Sequence, residues 1–114
     1  MTEKKITYED LKPYEFLFTK APSFILKSMI RKNSILVSKF EPTIKSTLKK
    51  LNDTEKENLY VILDADINEL QLVMKEAYKK THKKQFKLLS QSNAKEFIKL
   101  NLAEIKKMVL KGSV

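Results

Sequence analysis

TEKENLYVILDADINELQLVMKEAYKKTHKKQFKLL, residues 54–89, decides the fold. Alternating steps of three and four meet Tyr60, Leu63, Ile67, Leu70, Met74, Ala77 and Thr81, which is one stripe of an α-helix. Leu59, Ile62, Val73 and Tyr78 broaden that stripe into a face, and neither Pro nor Gly interrupts it. The spacing predicts one long central helix over 54–89, on which the shorter amphipathic pieces of the chain pack. Thr54-Glu55-Lys56-Glu57 fits a capping box at its start, with hydroxyl and carboxylate each satisfying an orphan backbone donor.

Charge is segregated along this stretch. From Asp53 to Met74 there are six acids and one base, and from Lys75 to Lys87 six bases and one acid. Acid first and base last is the order a helix macrodipole favours. Length sets a limit, however. A single helix of about 35 residues is about 50 Å long, whereas a compact chain of this size is only about 35 Å across. Two resolutions are expected: a bend near Thr81-His82, where the stripe thins, or a projecting basic end covered by a partner.

The remaining chain reads as shorter helices. Asp10 is expected to cap a first helix with Pro13 in its first turn, burying Leu11, Tyr14, Leu17 and Phe18 and ending near Lys20. Pro22 starts a second at its first position, with Phe24, Ile25, Met29 and Ile30 as its apolar side. Asn33 is a candidate cap for SILVSKF. Residues 35–40, like the YVIL of 60–63, read as helix or as strand; a lone strand lacks a partner, so a helix restarted at Pro42 is preferred, with Ile44, Leu48 and Leu51 on one face. After Ser90-Gln91-Ser92-Asn93 a last helix buries Ala94, Phe97, Ile98, Leu102, Ile105 and Val109, and Gly112 stops it. Residues 1–6 are expected to form a flexible arm. The expectation is an all-α, four- to five-helix, bundle-like single domain over 1–114.

Composition supports that class and excludes several chemistries. A single Gly and three Pro leave little turn chemistry for hairpins, and no Cys is present for disulfides, thiolate metal sites or nucleophiles. The polar N-terminus and the absence of a long uncharged apolar run lead to the expectation of a soluble, cytoplasmic protein without a membrane span. Net charge is +9, which a nucleic acid, an anionic membrane surface or an acidic protein could answer. All but one of the 23 basic residues are lysine, the exception being Arg31, and lysine is a mobile, hydrated point charge rather than a bidentate phosphate grip. Biased codon usage explains such a lysine excess as economically as function does.

Spacing discriminates among the candidate sites. Asp64-Ala65-Asp66-Ile67-Asn68 opens like a calcium loop, but Glu69 stands where the sharp turn needs Gly and Lys75 where the loop needs its bidentate Glu. His82, the only histidine, has no second ligand nearby in sequence. No nucleophile elbow, phosphate loop or zinc-protease motif occurs, so no enzyme, metal or cofactor is expected. A break at Asp64–Asp66 would make Ile67–Lys80 the second helix of a helix-turn-helix, but Asp66 and Glu69 would then face DNA. Residues 14–40 lack the lysine face of a membrane-surface helix. The basic run KKTHKKQFK remains, with Lys79, Lys80, Lys83, Lys84 and Lys87 expected on one side of a helix as an anionic-partner site. Beyond it, Phe86, Leu88 and Leu89 resume the apolar stripe and are candidates for an association surface. Two functional classes follow: a helical interaction module that self-associates, as a homodimer, or binds an acidic protein, and a nonspecific nucleic-acid binder using 79–87.

Overall fold

Two helix stops divide the stretch that carries the stripe. In the computed structural model, which describes the backbone of residues 6–110 and all their side chains except those of 39, 40 and 110, residues 54–89 belong to three helices. These are α5 (Asp53–Leu63), α6 (Ile67–Thr81) and α7 (Lys84–Leu89). The single long central helix is therefore corrected. The first break is set by Asp66, whose carboxylate accepts from the N–H groups of Asn68 (3.0 Å) and Glu69 (3.2 Å) as the N-cap of α6. The second is the expected bend: His82 takes a left-handed conformation with φ 58° and its N–H donates to the Tyr78 carbonyl at 2.8 Å.

Folding back satisfies the length constraint. The chain measures 35 × 33 × 22 Å with a radius of gyration of 13.4 Å. Helix α7 packs on α6. Buried Gln71 fastens the end of α7 to the middle of α6, donating from Nε2 to the Leu89 carbonyl (2.9 Å) and the Gln91 carbonyl (2.7 Å).

The other elements surround this hairpin. The segment 8–19 runs as α1 (Tyr8–Leu11), a 3-10 turn (Lys12–Tyr14) and α2 (Phe16–Thr19). Pro13 has no N–H for an α-helical bond and sits in the 3-10 turn. Thr7, not Asp10, is the N-cap; the Asp10 carboxylate accepts from the Thr7 N–H at 3.1 Å as the reciprocal partner. Leu11, Tyr14, Leu17 and Phe18 are buried as the spacing predicts. Residue 6, assigned to the arm, is instead packed: Ile6 is buried and its N–H donates to Glu69 Oε1 at 3.1 Å. The rest of the predicted arm, 1–5, and Gly112 lie outside the described residues.

Helix α3 (Ser23–Lys32) follows Pro22, its N-cap, and ends at Asn33, whose φ of 52° makes it the stop of α3 rather than the cap of the next segment. The Ser34 N–H returns to the Met29 carbonyl (2.9 Å) and the Asn33 N–H to the Ile30 carbonyl (3.1 Å), a Schellman arrangement. Neither 35–40 nor 60–63 is a strand. Leu36 and Val37 are buried, Val37–Phe40 is a 3-10 turn, and α4 (Glu41–Lys49) carries Pro42 in its first turn. The capping box of α5 lies at Asn52 and Glu55, two residues before the predicted one, with the Glu55 N–H donating to Asn52 Oδ1 at 2.8 Å. Last, α8 (Lys95–Leu110) buries Phe97, Ile98, Leu102, Ile105 and Val109, and Ala94 before it is also buried.

Asn101 of α8 is the buried polar joint of the fold. Its Oδ1 accepts from the Val37 N–H (3.1 Å), and its Nδ2 donates to the carbonyls of Ser34 (3.1 Å) and Phe97 (2.8 Å). The irregular segment after α3, which has no helical ladder of its own, is thereby tied to α8. All regular structure among the described residues is helical, eight α-helices and three 3-10 turns, and none of these helices is long and apolar enough to cross a membrane.

Candidate functional site

The bend at His82 takes the basic run off a single helix face. Lys79 and Lys80 close α6, Lys83 is the N-cap residue of α7, and Lys84 and Lys87 ride on α7. Two of the five are committed within the chain. Lys83 Nζ lies 2.9 Å from Glu15 Oε1, and Lys80 Nζ lies 3.4 Å from Glu76 Oε1 and 5.5 Å from the centre of the Tyr8 ring. Lys79 is exposed and in no ion pair among the described residues. Lys84 and Lys87 turn to a different neighbour, helix α3.

Between α3 and α7 runs an open groove of about 320 Å³, lined by Ser23, Phe24, Lys27, Tyr78, Lys84, Lys87, Leu88 and Gln91. It contains three lysines and no acid, and none of the three is in an ion pair among the described residues. Lys87 Nζ sits 6.0 Å from the centre of the Tyr78 ring, a cation–π contact that holds the ammonium over the apolar floor. Phe24 is 74 % exposed, the largest such value among the described large hydrophobic side chains. Helix α3 starts here without a side-chain cap, so its first amides add positive potential to that of the lysines.

Why Phe24 stands outside follows from the phase of α3. Leu26, Met29 and Ile30, at spacing i, i+3, i+4, are the buried side. Phe24, expected inside, falls on the opposite face, and Ile25, also expected inside, lies at the edge beside Met29; both are exposed. A carbonyl at the α2–α3 junction fixes the groove's end: Gln85 Nε2 donates to Ala21 O at 3.1 Å. Tyr78 also meets His82 edge-on at 6.4 Å, which is the place of the only histidine.

The candidate association residues divide differently from expectation. Phe86 and Leu89 are 0 % exposed, core residues of the α6–α7 hairpin, so they are not an association surface; folding back at His82 buried them. Leu88 is half-buried and lines the groove. Around the Ser90–Ser92 turn a second open groove of about 330 Å³ is lined by Asn68, Gln71, Leu72, Lys75, Ser90, Ser92 and Lys95, again without an acid, and Leu72 is 66 % exposed.

The acids gather elsewhere. Asp64, Asp66 and Glu69 line a depression of about 500 Å³ with Tyr60 and Val61. Each of these carboxylates has a structural role. Asp64 Oδ1 is 2.6 Å from Lys106 Nζ, Asp66 caps α6 and Glu69 holds Ile6. No group of His, Asp and Glu side chains among the described residues is placed to hold a metal. Helices α5 and α6, joined by a three-residue turn, do resemble a helix-turn-helix in connectivity, but Asp66 and Glu69 stand at the start of α6, the end that such a helix presents to DNA. No family model, curated protein or solved structure matches the chain.

Proposed function

We propose that the chain is a small non-enzymatic interaction module, and that its α3–α7 groove seats an acidic segment of a protein partner with an apolar anchor. One observation carries this: Phe24, the most exposed large hydrophobic among the described residues, stands in a groove with three lysines and no acid. Magnitudes assign the roles. Covering most of a Phe side chain removes about 150 Å² of apolar surface, worth ~4 kcal/mol at ~25 cal/mol per Å², whereas each exposed lysine–carboxylate pair adds ~0.2–1 kcal/mol. The aromatic floor supplies affinity, and Lys27, Lys84 and Lys87 supply the choice of an acidic partner and a fast encounter.

A second reading, nonspecific nucleic-acid binding, is supported by Phe24 and Tyr78 lying beside the same lysines, since bases stack on aromatic faces without sequence preference. One titration separates the two. A labelled peptide alternating Glu with Leu and Phe, and a labelled single-stranded oligonucleotide, are followed by fluorescence anisotropy. The first reading expects the peptide to bind and Phe24→Ala or K27Q/K84Q/K87Q to weaken it at least tenfold, while K79Q/K80Q/K83Q leaves it unchanged. Preferential oligonucleotide binding, with a log–log salt slope of about −2 for three phosphate contacts, supports the second. Binding of neither probe overturns both.

A further inference from the structure

The outer face of α5 has the chemistry the α3–α7 groove asks for. Asp53, Glu57, the pair Tyr60 and Val61, and Asp64 follow one another at helical spacing and are all exposed, with Tyr60 and Val61 each 43 % exposed and Asp64, at the end, already paired with Lys106. This is an acidic stripe with an apolar centre, about 16 Å long from Asp53 to Asp64. The groove is its complement in charge and in kind: lysines around Phe24, Tyr78 and Leu88. The same segregation is written in the sequence of 53–87, acids before residue 75 and bases from it onward. Helix termini account for much of it, with Asp53, Glu55, Asp66 and Glu69 at the starts of α5 and α6 and Lys79, Lys80 and Lys87 in the last turns of α6 and α7; before residue 75, Glu57 and Asp64 are the acids that serve no helix start.

We infer that the acidic partner of the groove is a second copy of this chain, presenting the outer face of α5. The inference rests on the reading of the groove as a seat for an acidic segment. A molecule cannot fill its own groove with its own α5. Helix α5 packs on α8 and α3 packs on α7, and α6 separates them: from its cap Asp66, beside α5, to Tyr78, in the groove, is about 18 Å along the helix. The contact joins two different faces: made once per pair it is heterologous, head to tail, and propagates into chains or closes into a ring. The +9 net charge opposes it at long range. At ~0.1 M salt, where the Debye length is about 10 Å, that repulsion is screened across the molecule while contact pairs persist.

Sedimentation velocity from micromolar to millimolar protein tests this with two variants on exposed positions, F24S/K84Q/K87Q on the groove and E57Q/Y60S/V61S on the helix. The expected results are a mass that rises with concentration beyond the dimer for the unaltered chain, monomers for each variant alone, and a one-to-one dimer and nothing larger when the two variants are mixed. Each variant keeps the half the other lacks, so pairing of α5 with the groove predicts that rescue, and the mass beyond the dimer for the unaltered chain marks the pairing as head to tail. A monomer at every concentration, or a dimer that the mixture fails to restore, overturns the inference. Adding the Glu/Leu/Phe peptide to the same samples separates the levels: peptide bound by a chain that stays monomeric removes self-pairing and leaves the groove reading standing, and no binding removes both.

Discussion

Replacing Asn101 by Ala tests the joint that ties the segment after α3 to α8. The amide makes its bonds in a position 1 % exposed, so water does not simply take its place. Loss of Oδ1 leaves the Val37 N–H without its partner, and loss of Nδ2 leaves the Ser34 carbonyl without one. The Phe97 carbonyl keeps its helical partner and counts for little. An unsatisfied buried polar group costs ~1–3 kcal/mol; with Val37 N–H buried and Ser34 half-buried, the sum is ~3 kcal/mol, a large part of the ~5–15 kcal/mol that domains have in total. At roughly 4 °C per kcal/mol for a chain of this length, the melting temperature should fall by ~12 °C. Thermal and urea unfolding followed by far-ultraviolet circular dichroism read the change, with an unaltered urea slope showing that the native state still buries the same surface. Asn101→Asp should behave differently, being weakest when ionised, since both former donor contacts then face an acceptor, and recovering as pH falls through the range where a buried carboxyl holds its proton. A loss below ~0.5 kcal/mol for Asn101→Ala, the level of ordinary surface changes, would refute the account of the 34–37 segment.

Three further perturbations address separate parts of the structure. Phe86→Ala should cost ~3–5 kcal/mol of unfolding free energy, as a core cavity does, whereas an association residue would leave monomer stability unchanged and alter only sedimentation. Asp66→Ala removes the cap that starts α6 and should cost ~1 kcal/mol, with Asp66→Asn restoring most of it, measured by urea unfolding. Burial first, and the Glu55 carboxylate second, raise the Tyr14 phenol above its ordinary 10.0. The unfolded chain therefore loses that proton first, so the phenol's contribution is complete below pH 10 and declines as pH rises past it. Tyr14→Phe, which also removes the hydroxyl's bond to the Glu55 carbonyl, should lower stability at neutral pH and flatten its alkaline decline, as read from melting temperature against pH.

Spacing predicts the helical class and most of the core, because burial and helical period are local and repeat along the chain. Leu63, Leu70, Met74 and Ala77 are buried as the stripe requires, and so is the predicted face of α8. The Asp64–Asp66 break is invisible to periodicity. Leu63 and Ile67 are four residues apart, so the stripe crosses a non-helical turn without losing phase, and only the cap chemistry of Asp66 marks the boundary. At the start of α5 both Asn52/Glu55 and Thr54/Glu57 offer a capping pair, and the helix uses the first, whose Asn is the stronger cap. A stripe drawn through Phe24 and Ile25 misplaces Phe24 because it omits Leu26; Leu26, Met29 and Ile30 together turn α3 the right way. Half of the groove is legible in Lys84 and Lys87. Lys27 and Phe24 are not, since the packing of α3 on α7 joins residues some sixty positions apart that no local period connects.

The α3–α7 groove, rather than the basic run as a whole, is the binding surface we propose. Amide chemical-shift mapping on isotope-labelled protein, titrated with the Glu/Leu/Phe peptide, tests it most directly. Saturable shifts centred on Phe24, Lys27, Tyr78, Lys84, Lys87 and Leu88, with Lys80 and Lys83 silent, are the predicted result. Shifts centred on Lys79, Lys80 and Lys83, or none at all, would contradict it.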